Sequence, residues 1–215
     1  MDITVVIINY QTPDLLKEAV TSFKNIYPKI PLLIIDNGSK DDSKTMINKL
    51  KKGYTEYLSI HFLDENIFHG PAMHFALQEL VNTEFVLFLD SDTETRRQGF
   101  LEEMVAFLNA NDQLYGIGHV EKVNERGFKE KDGDPILLTP YMMLKTNVYK
   151  KYPPFVHHGQ PTLANFRAAR EDGMSLQNYN IEDYIFHHWR GTANRYGYGL
   201  GWKGKWNHLL NKLGL

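Results

Sequence analysis

Short apolar runs alternate with amphipathic helical patterns along residues 1–100, and this alternation restricts the possible folds more than any other feature. The apolar runs predict strands at Ile3–Ile8, Pro31–Ile35, Leu58–Leu63 and Phe85–Leu89. Helices are predicted to start at Thr12-Pro13-Asp14, at a Ser39 cap before a helix running towards Lys51, and at Pro71 before a helix ending at Leu80. Such alternation favours an α/β fold: a single Rossmann-like domain whose mostly parallel central sheet carries helices on both faces.

After Asp92 the pattern changes. Residues Tyr115–Val120 predict another strand, and Glu125-Arg126-Gly127 predicts a turn inside a hairpin over residues 120–140. Leu163–Arg170 predicts a helix that Gly173 ends. We expect the two halves to share one sheet within a single domain over residues 1–215.

Composition excludes several classes of protein. The chain has 215 residues and no cysteine, which excludes disulfides, thiolate zinc sites and cysteine nucleophiles. No apolar run approaches 18 residues and no basic leader precedes the first strand, so we expect neither a membrane span nor a signal peptide. The net charge of −2 is uneven: residues after Asp183 carry five basic and no acidic side chains. We therefore expect that end to contact an anionic group.

Two carboxylates, Asp90 and Asp92, follow directly on the fourth predicted strand, with Ser91 between them. Ligands of open α/β sheets bind at the carboxyl ends of the strands. Two neighbouring carboxylates repel each other, so the pair favours a divalent cation such as Mg²⁺, which takes its remaining ligands from water and phosphate. The alternative is that Asp92 or Thr93 caps the helix that follows.

Asp36 lies at the end of the second predicted strand, beside the end of the first at Ile8-Asn9-Tyr10. An acid at this position can accept hydrogen bonds from a ribose or a base. The alternative is a tight turn at Asp36-Asn37-Gly38, and both can hold together. Neither a glycine-rich dinucleotide fingerprint nor a phosphate loop occurs in the sequence.

Taken in order, these segments resemble the family-2 glycosyltransferases of the GT-A fold. The resemblance rests on four segments and covers residues 3–110 best: Val5–Tyr10, Leu33–Ser39, Glu65–Gly70, in which Phe68 replaces a family glycine, and Phe88–Asp92. It implies a GT-A-like fold with a nucleotide-sugar-binding half at residues 1–110, an acceptor half at 111–195 and a basic amphipathic tail at 196–215.

The resemblance also implies a sugar-nucleotide donor, a bound Mn²⁺ or Mg²⁺ ion and transfer with inversion. Asp92 and Asp90 would hold the metal. The remaining donor contacts would come from Ile8, Asn9, Tyr10, Asp36, Asn66, Gly70, Asp90 and Ser91.

An inverting transferase needs a base, and the Glu-Asp pair that many relatives carry before the corresponding helix is absent here. The segment before Leu163 contains His157 and His158 instead. Neutral histidine is a competent base near pH 7, so His158 is the first candidate and His157 the second. The alternative is that both lie in an exposed loop.

A second histidine pair, His187-His188, resembles the family's His-x-x-Gly-(Ser/Thr) segment, whose histidine completes metal or diphosphate binding. His188 fits the spacing of this segment with one residue to spare, and His187 fits if the spacing is longer. A strand would point the two to opposite faces, so at most one would face the metal, where imidazole favours Mn²⁺. Arg190 and Arg195 could neutralise the diphosphate.

The predicted function is therefore metal-dependent, inverting transfer of a sugar from a nucleoside-diphosphate sugar to a hydroxyl of a glycan or lipid-linked glycan. We expect a cytoplasmic protein. Its tail would be a docked helix, a lid, or a segment that contacts the inner face of the membrane peripherally. A non-catalytic sugar-nucleotide or glycan-binding protein is the alternative. The loop Asn9–Pro13 argues against a nucleotidyltransferase, and the tail is too weakly basic to favour nucleic acid.

Overall fold

The computed structural model describes residues 1–156 and 160–189. In chain order its strands are β1 (Ile3–Asn9), β2 (Leu32–Asn37), β3 (Leu58–Leu63), β4 (Phe85–Asp90), β5 (Thr93–Thr95), β6 (Leu114–Gly118), β7 (Val120–Val123), β8 (Asp134–Leu137), β9 (Tyr141–Lys145), β10 (Ser175–Asn178) and β11 (Ile185–His187). Its α-helices are α1 (Pro13–Ile26), α2 (Ser43–Gly53), α3 (His69–Phe75), α4 (Phe100–Ala110), α5 (Thr146–Tyr149) and α6 (Leu163–Glu171). A π-helical turn, Ala76–Leu80, extends α3, and a 3₁₀ turn, Ile181–Asp183, precedes β11.

Seven strands form the central sheet, in the order β10-β6-β9-β4-β1-β2-β3. Strand β9 runs antiparallel to both of its neighbours, and every other pair of adjacent strands is parallel. The sheet therefore joins the two halves of the chain. The predicted α/β class with a mostly parallel sheet is confirmed.

Helices cover both faces of this sheet, as the sequence predicts. Successive side chains of a strand point to opposite faces. Accordingly, Val5 and Ile7 of β1 belong to the cluster built with α1, α2 and α4. Val6 and Ile8 belong to the cluster built with α3, α5 and α6. Burial of both faces explains why the strands are continuous apolar runs.

The four strands predicted for residues 1–100 are confirmed, with ends that differ by at most two residues. The hairpin is confirmed as β7 paired with β8, and Gly173, at φ +81°, follows the predicted helix α6. No helix within residues 1–156 and 160–189 combines the length and the apolar character that crossing a membrane requires.

The predicted cap at Ser39 is wrong, and the alternative of a cap at Asp92 or Thr93 does not hold either. Ser39 does not cap α2, which begins at Ser43; its hydroxyl instead accepts a hydrogen bond from the Gln11 amide at 2.9 Å. Neither Asp92 nor Thr93 caps the helix after β4, because β5 intervenes and Gly99 precedes α4. Ser39 lies instead in a polar network at the sheet edge, which only the packed structure reveals.

Candidate active site

The carboxyl ends of β1, β2 and β4 bring four predicted site residues together. Asn9 pairs with Asp36 across β1 and β2, and Ile8 pairs with Asp90 across β1 and β4. Parallel strands end at the same edge of a sheet, so polar residues that end different strands become neighbours there.

A buried hydrogen-bond network links these strand ends. The Asn9 amide donates to Asp36 Oδ1 at 2.9 Å, and the Thr12 hydroxyl donates to Asn9 Oδ1 at 2.9 Å. The same hydroxyl lies 2.9 Å from that of Ser91, and the Ser39 amide donates to Asp36 Oδ2 at 3.2 Å. Asp36, Asn9 and Thr12 are all 0% exposed, so these three side chains are closed to bulk solvent. The network links the start of α1 to the end of β4.

The loop before α3 is tied to the end of β2. Asn37 donates to Asn66 Oδ1 at 3.1 Å and accepts a hydrogen bond from the Ile67 amide at 3.0 Å. The backbones approach so closely that a Cβ on Gly38, which has φ +72°, would lie 2.3 Å from the carbonyl carbon of Glu65. These contacts place Asn66, a predicted donor residue, beside the strand end that carries Asp36.

His69 and Gly70 begin α3 at the same edge. The Nε2 atom of His69 lies 3.7 Å from Asp90 Oδ1. A Cβ on Gly70 would lie 1.9 Å from the Val156 carbonyl oxygen, so only glycine allows this approach. Phe68, in the position of the family glycine, has φ +69° and ψ 165°, a backbone conformation that is strained for a residue with a side chain.

Asp90, Asp92 and His187 form the cluster best suited to a metal ion. The Nε2 atom of His187 lies 3.0 Å from Asp92 Oδ1 and 3.9 Å from Asp90 Oδ2. One ligand atom from each residue falls within 4.8 Å of the others. Strand β11 delivers the histidine because it pairs with β5, which directly follows Asp92, and His187 stands opposite Thr93.

The electrostatics of this cluster favour a bound cation. Burial raises the pKa of Asp90, the charge of Asp92 raises it further, and His69 and His187 act in the opposite direction. A divalent ion would remove the repulsion between the two carboxylates. The Nδ1 atom of His187 is buried without a hydrogen-bond partner, which leaves Nε2 as the nitrogen that faces both aspartates. Two carboxylates and one imidazole fit a divalent metal and favour Mn²⁺ over Mg²⁺.

Other predicted site residues lie elsewhere. His188 does not face the two aspartates: its Nε2 atom lies 3.6 Å from Glu18 Oε1. Ile8 is buried in the core, and Tyr10 is half-buried just beyond β1. Four predicted residues and the tail fall outside the described residues: His157, His158, Arg190, Arg195 and residues 196–215.

Sequence reasoning missed three contributors to the site: Thr12, His69 and Tyr141. Thr12 could be found as a polar residue next to a helix start at a sheet edge, and His69 as the neighbour of Gly70. Tyr141 packs edge-on against the His187 ring, with the centroids 6.1 Å apart, and its hydroxyl donates to Glu182 at 3.0 Å. It lies on β9, which no sequence pattern predicted.

Comparison with known proteins places the chain among glycosyltransferases. The family model "Glycosyl transferase family 2" matches residues 4–173. A teichoic acid poly(glycerol phosphate) polymerase of Staphylococcus epidermidis is 31% identical over 93 residues, which are 43% of this chain and 13% of the polymerase.

Two solved structures share the fold. The mannosyltransferase PcManGT of Pyrobaculum calidifontis, in complex with GDP-Man and Mn²⁺, superposes with a TM-score of 0.67 at 16% identity, covering 83% of this chain and 54% of that one. TarS of S. aureus, in complex with UDP-GlcNAc, gives 0.63 at 19% identity, covering 86% and 58%. At such identities the likeness shows the GT-A fold alone, and this chain spans less than two thirds of either protein.

Proposed function

Because the chain belongs to glycosyltransferase family 2, we propose that it transfers a sugar from a nucleoside-diphosphate sugar to a hydroxyl of a glycan or lipid-linked glycan, with metal dependence and inversion. The cluster of Asp90, Asp92 and His187 at the carboxyl edge of the sheet carries this proposal. It combines a site for a divalent cation with the sheet edge at which α/β folds bind their ligands.

Asp92, Asp90 and His187 would hold Mn²⁺ or Mg²⁺, with Mn²⁺ favoured by the imidazole. A cation bound there would neutralise charge on the departing nucleoside diphosphate. Asp92 is 4% exposed and His187 is 8% exposed, so both are held in place before any ligand arrives. Asp90 is more exposed and also faces His69, so it would lie nearest the sugar.

The donor contacts would come from Asn9-Tyr10, Asn66, Gly70 and Ser91, on the loops around the cluster. Asp36 is fully buried, and both of its oxygens already accept hydrogen bonds from Asn9 and Ser39. We therefore assign Asp36 a positioning role: it orients the Asn9 side chain and the turn that would meet the base and ribose.

For the catalytic base, His158 remains the first candidate and His157 the second. The described neighbour Val156 supports them, because its carbonyl oxygen packs directly against Gly70, one residue from the histidine that faces Asp90. The described chain up to Val156 therefore lies next to Gly70, which supports a base supplied by the residues that follow. Near pH 7 a neutral imidazole would accept the proton of the acceptor hydroxyl as that oxygen attacks the anomeric carbon.

A thermal-shift panel with UDP, GDP, CDP and dTDP, with and without Mn²⁺, tests the donor site. A ligand that binds only the folded state raises the melting temperature. We expect a shift with one base that requires the metal and is lost in Asp92→Ala. The matched control, Asp112→Ala, removes an exposed carboxylate from the loop between α4 and β6 and should keep the shift in melting temperature. No shift with any nucleotide would contradict the proposal.

A non-catalytic sugar-nucleotide or glycan-binding protein is the second candidate, favoured by the absence of a Glu-Asp pair before α6. Release of nucleoside diphosphate from the donor separates the two: a transferase releases it, and faster with an acceptor glycan, whereas a binding protein does not. The anomeric configuration of the product, determined by NMR, then tests inversion.

A further inference from the structure

A second cluster of possible metal ligands lies on the other side of the β5–β11 ribbon from Asp92 and His187. It consists of Glu18 on α1, Glu94 on β5 and His188 just after β11. One ligand atom from each residue lies within 4.8 Å of the others, and His188 Nε2 lies 3.6 Å from Glu18 Oε1.

The alternation of side chains along a strand explains why the adjacent residues His187 and His188 lie on opposite faces of the β5–β11 ribbon. In the pairing of β11 with β5, His187 stands opposite Thr93, and Phe186 stands opposite Glu94. The backbone amide of His188 continues the pairing by donating to the Asp92 carbonyl oxygen at 2.9 Å. Successive side chains alternate between faces, so His188 shares the face of Phe186 and Glu94 and meets α1. His187 lies on the opposite face, where its Nε2 atom reaches Asp92 just before β5.

The Nε2 atom of His188 makes no hydrogen bond in this arrangement. This atom is buried, although it points towards Glu18. Burying such an atom without a partner costs free energy that a bound cation would remove.

Arg96 contacts only one of the two carboxylate oxygens of Glu94. Arg96 donates two hydrogen bonds to the same oxygen of Glu94, Oε2, at 3.0 and 2.8 Å. The Arg96 guanidinium in turn lies 4.1 Å from the centroid of the Phe186 ring. These contacts engage Oε2 of Glu94, and Oε1 takes no part in them. The Glu18 side chain is 47% exposed, so an ion can enter from solvent.

We propose that Glu18, Glu94 and His188 bind a second divalent transition metal, with Zn²⁺ favoured. Zn²⁺ accepts carboxylate oxygen and imidazole nitrogen, and sites with three protein ligands complete their coordination with water. Among Mn²⁺, Fe²⁺, Co²⁺, Ni²⁺ and Zn²⁺, a site with nitrogen and oxygen ligands generally binds Mn²⁺ most weakly. The ion would fasten the β5–β11 ribbon, which carries His187, to α1. The proposal does not depend on the proposed transferase activity.

The test measures bound Zn²⁺ per chain by equilibrium dialysis and metal analysis, using full-length protein stripped with a chelator. A background of Asp90→Asn with Asp92→Asn removes both carboxylates of the first cluster. In that background we expect about one Zn²⁺ per chain, and addition of Glu18→Gln should weaken the binding at least tenfold. Glu18 is an exposed residue of α1, so its replacement by glutamine removes the charge and keeps the packing of the helix.

A control variant and a second ligand variant complete the test. The matched control Glu79→Gln, on an exposed residue of the turn after α3, should leave Zn²⁺ binding unchanged. A His188→Gln variant should reproduce the loss caused by Glu18→Gln, and Zn²⁺ should raise the melting temperature only where both ligands are present. Equal Zn²⁺ binding with and without Glu18→Gln would overturn the proposal and leave a plain contact between Glu18 and His188.

Discussion

Asn9→Asp is the most informative single change in the buried network. It keeps the size of the side chain and the acceptor for Thr12, but it places a carboxylate where the amide now donates to Asp36. At the observed 2.9 Å and an effective dielectric constant of about 20, two ionised carboxylates would repel by about 6 kcal/mol.

Protonation costs less than this repulsion, so the pair should share one proton in the folded state. Holding a proton on an aspartate costs about 4 kcal/mol at pH 7 and about 1.5 kcal/mol at pH 5. The folded variant has a raised pKa and binds more protons than the unfolded chain, so its unfolding free energy must fall as the pH rises from 5 to 7. We expect a loss of about 4 kcal/mol at pH 7 and about 1.5 kcal/mol at pH 5.

Urea unfolding of parent and variant at pH 5, 6 and 7, followed by circular dichroism, measures this difference. The control is the exchange of both residues, Asn9→Asp with Asp36→Asn, which restores one carboxylate and one amide and should recover most of the loss. A loss of unfolding free energy that does not change with pH would refute the conclusion that residues 9 and 36 face each other in a buried pair. Nucleotide binding by the exchanged variant also tests whether Asp36 acts by positioning, because only a direct role for its charge predicts loss of binding.

Three further outcomes are expected. Gly70→Ala should cost about 2 kcal/mol in urea unfolding and reduce transfer, because its Cβ would lie 1.9 Å from the Val156 carbonyl oxygen; unchanged stability would contradict that approach. Phe68→Gly should be more stable than Phe68→Ala by about 1 kcal/mol, the reverse of the usual order, because only glycine relieves the strain at φ +69°; thermal melts should separate the two variants by about 2–4 °C. Burial lowers the pKa of Lys24 from 10.5 to about 8, so the folded state loses its proton first and the unfolding free energy should rise between pH 8 and 10. Lys24→Met should lack about 2 kcal/mol of that rise, and an equal rise in both proteins would show that this lysine is not buried.

Local sequence was sufficient wherever an element is defined by its own residues. The strands β1 to β4 are buried on both faces, so each appears as an unbroken apolar run, and each helix between them has its own apolar stripe. The position of Asp90 and Asp92 at the edge of the sheet followed directly, because it depends only on where the fourth strand ends.

Elements formed by distant partners could not be read in this way. Strands β5 and β11 have three residues each and are stabilised by pairing with each other across about ninety residues of chain. Strand β9 enters the sheet antiparallel between β4 and β6, which no local pattern encodes. The role first given to Ser39 failed for the same reason, since its partner Gln11 belongs to another strand end.

The sequence by itself determined the fold class, the family resemblance and the pair of aspartates, because these depend on apolar periodicity and on motifs within single segments. It also offered two adjacent histidines as partners for that pair. Only the tertiary structure decided between them, since the register of β11 on β5 turns His187 towards Asp92 and His188 towards Glu18. A shift of one residue in that pairing would exchange the two, because side chains along a strand alternate between its faces.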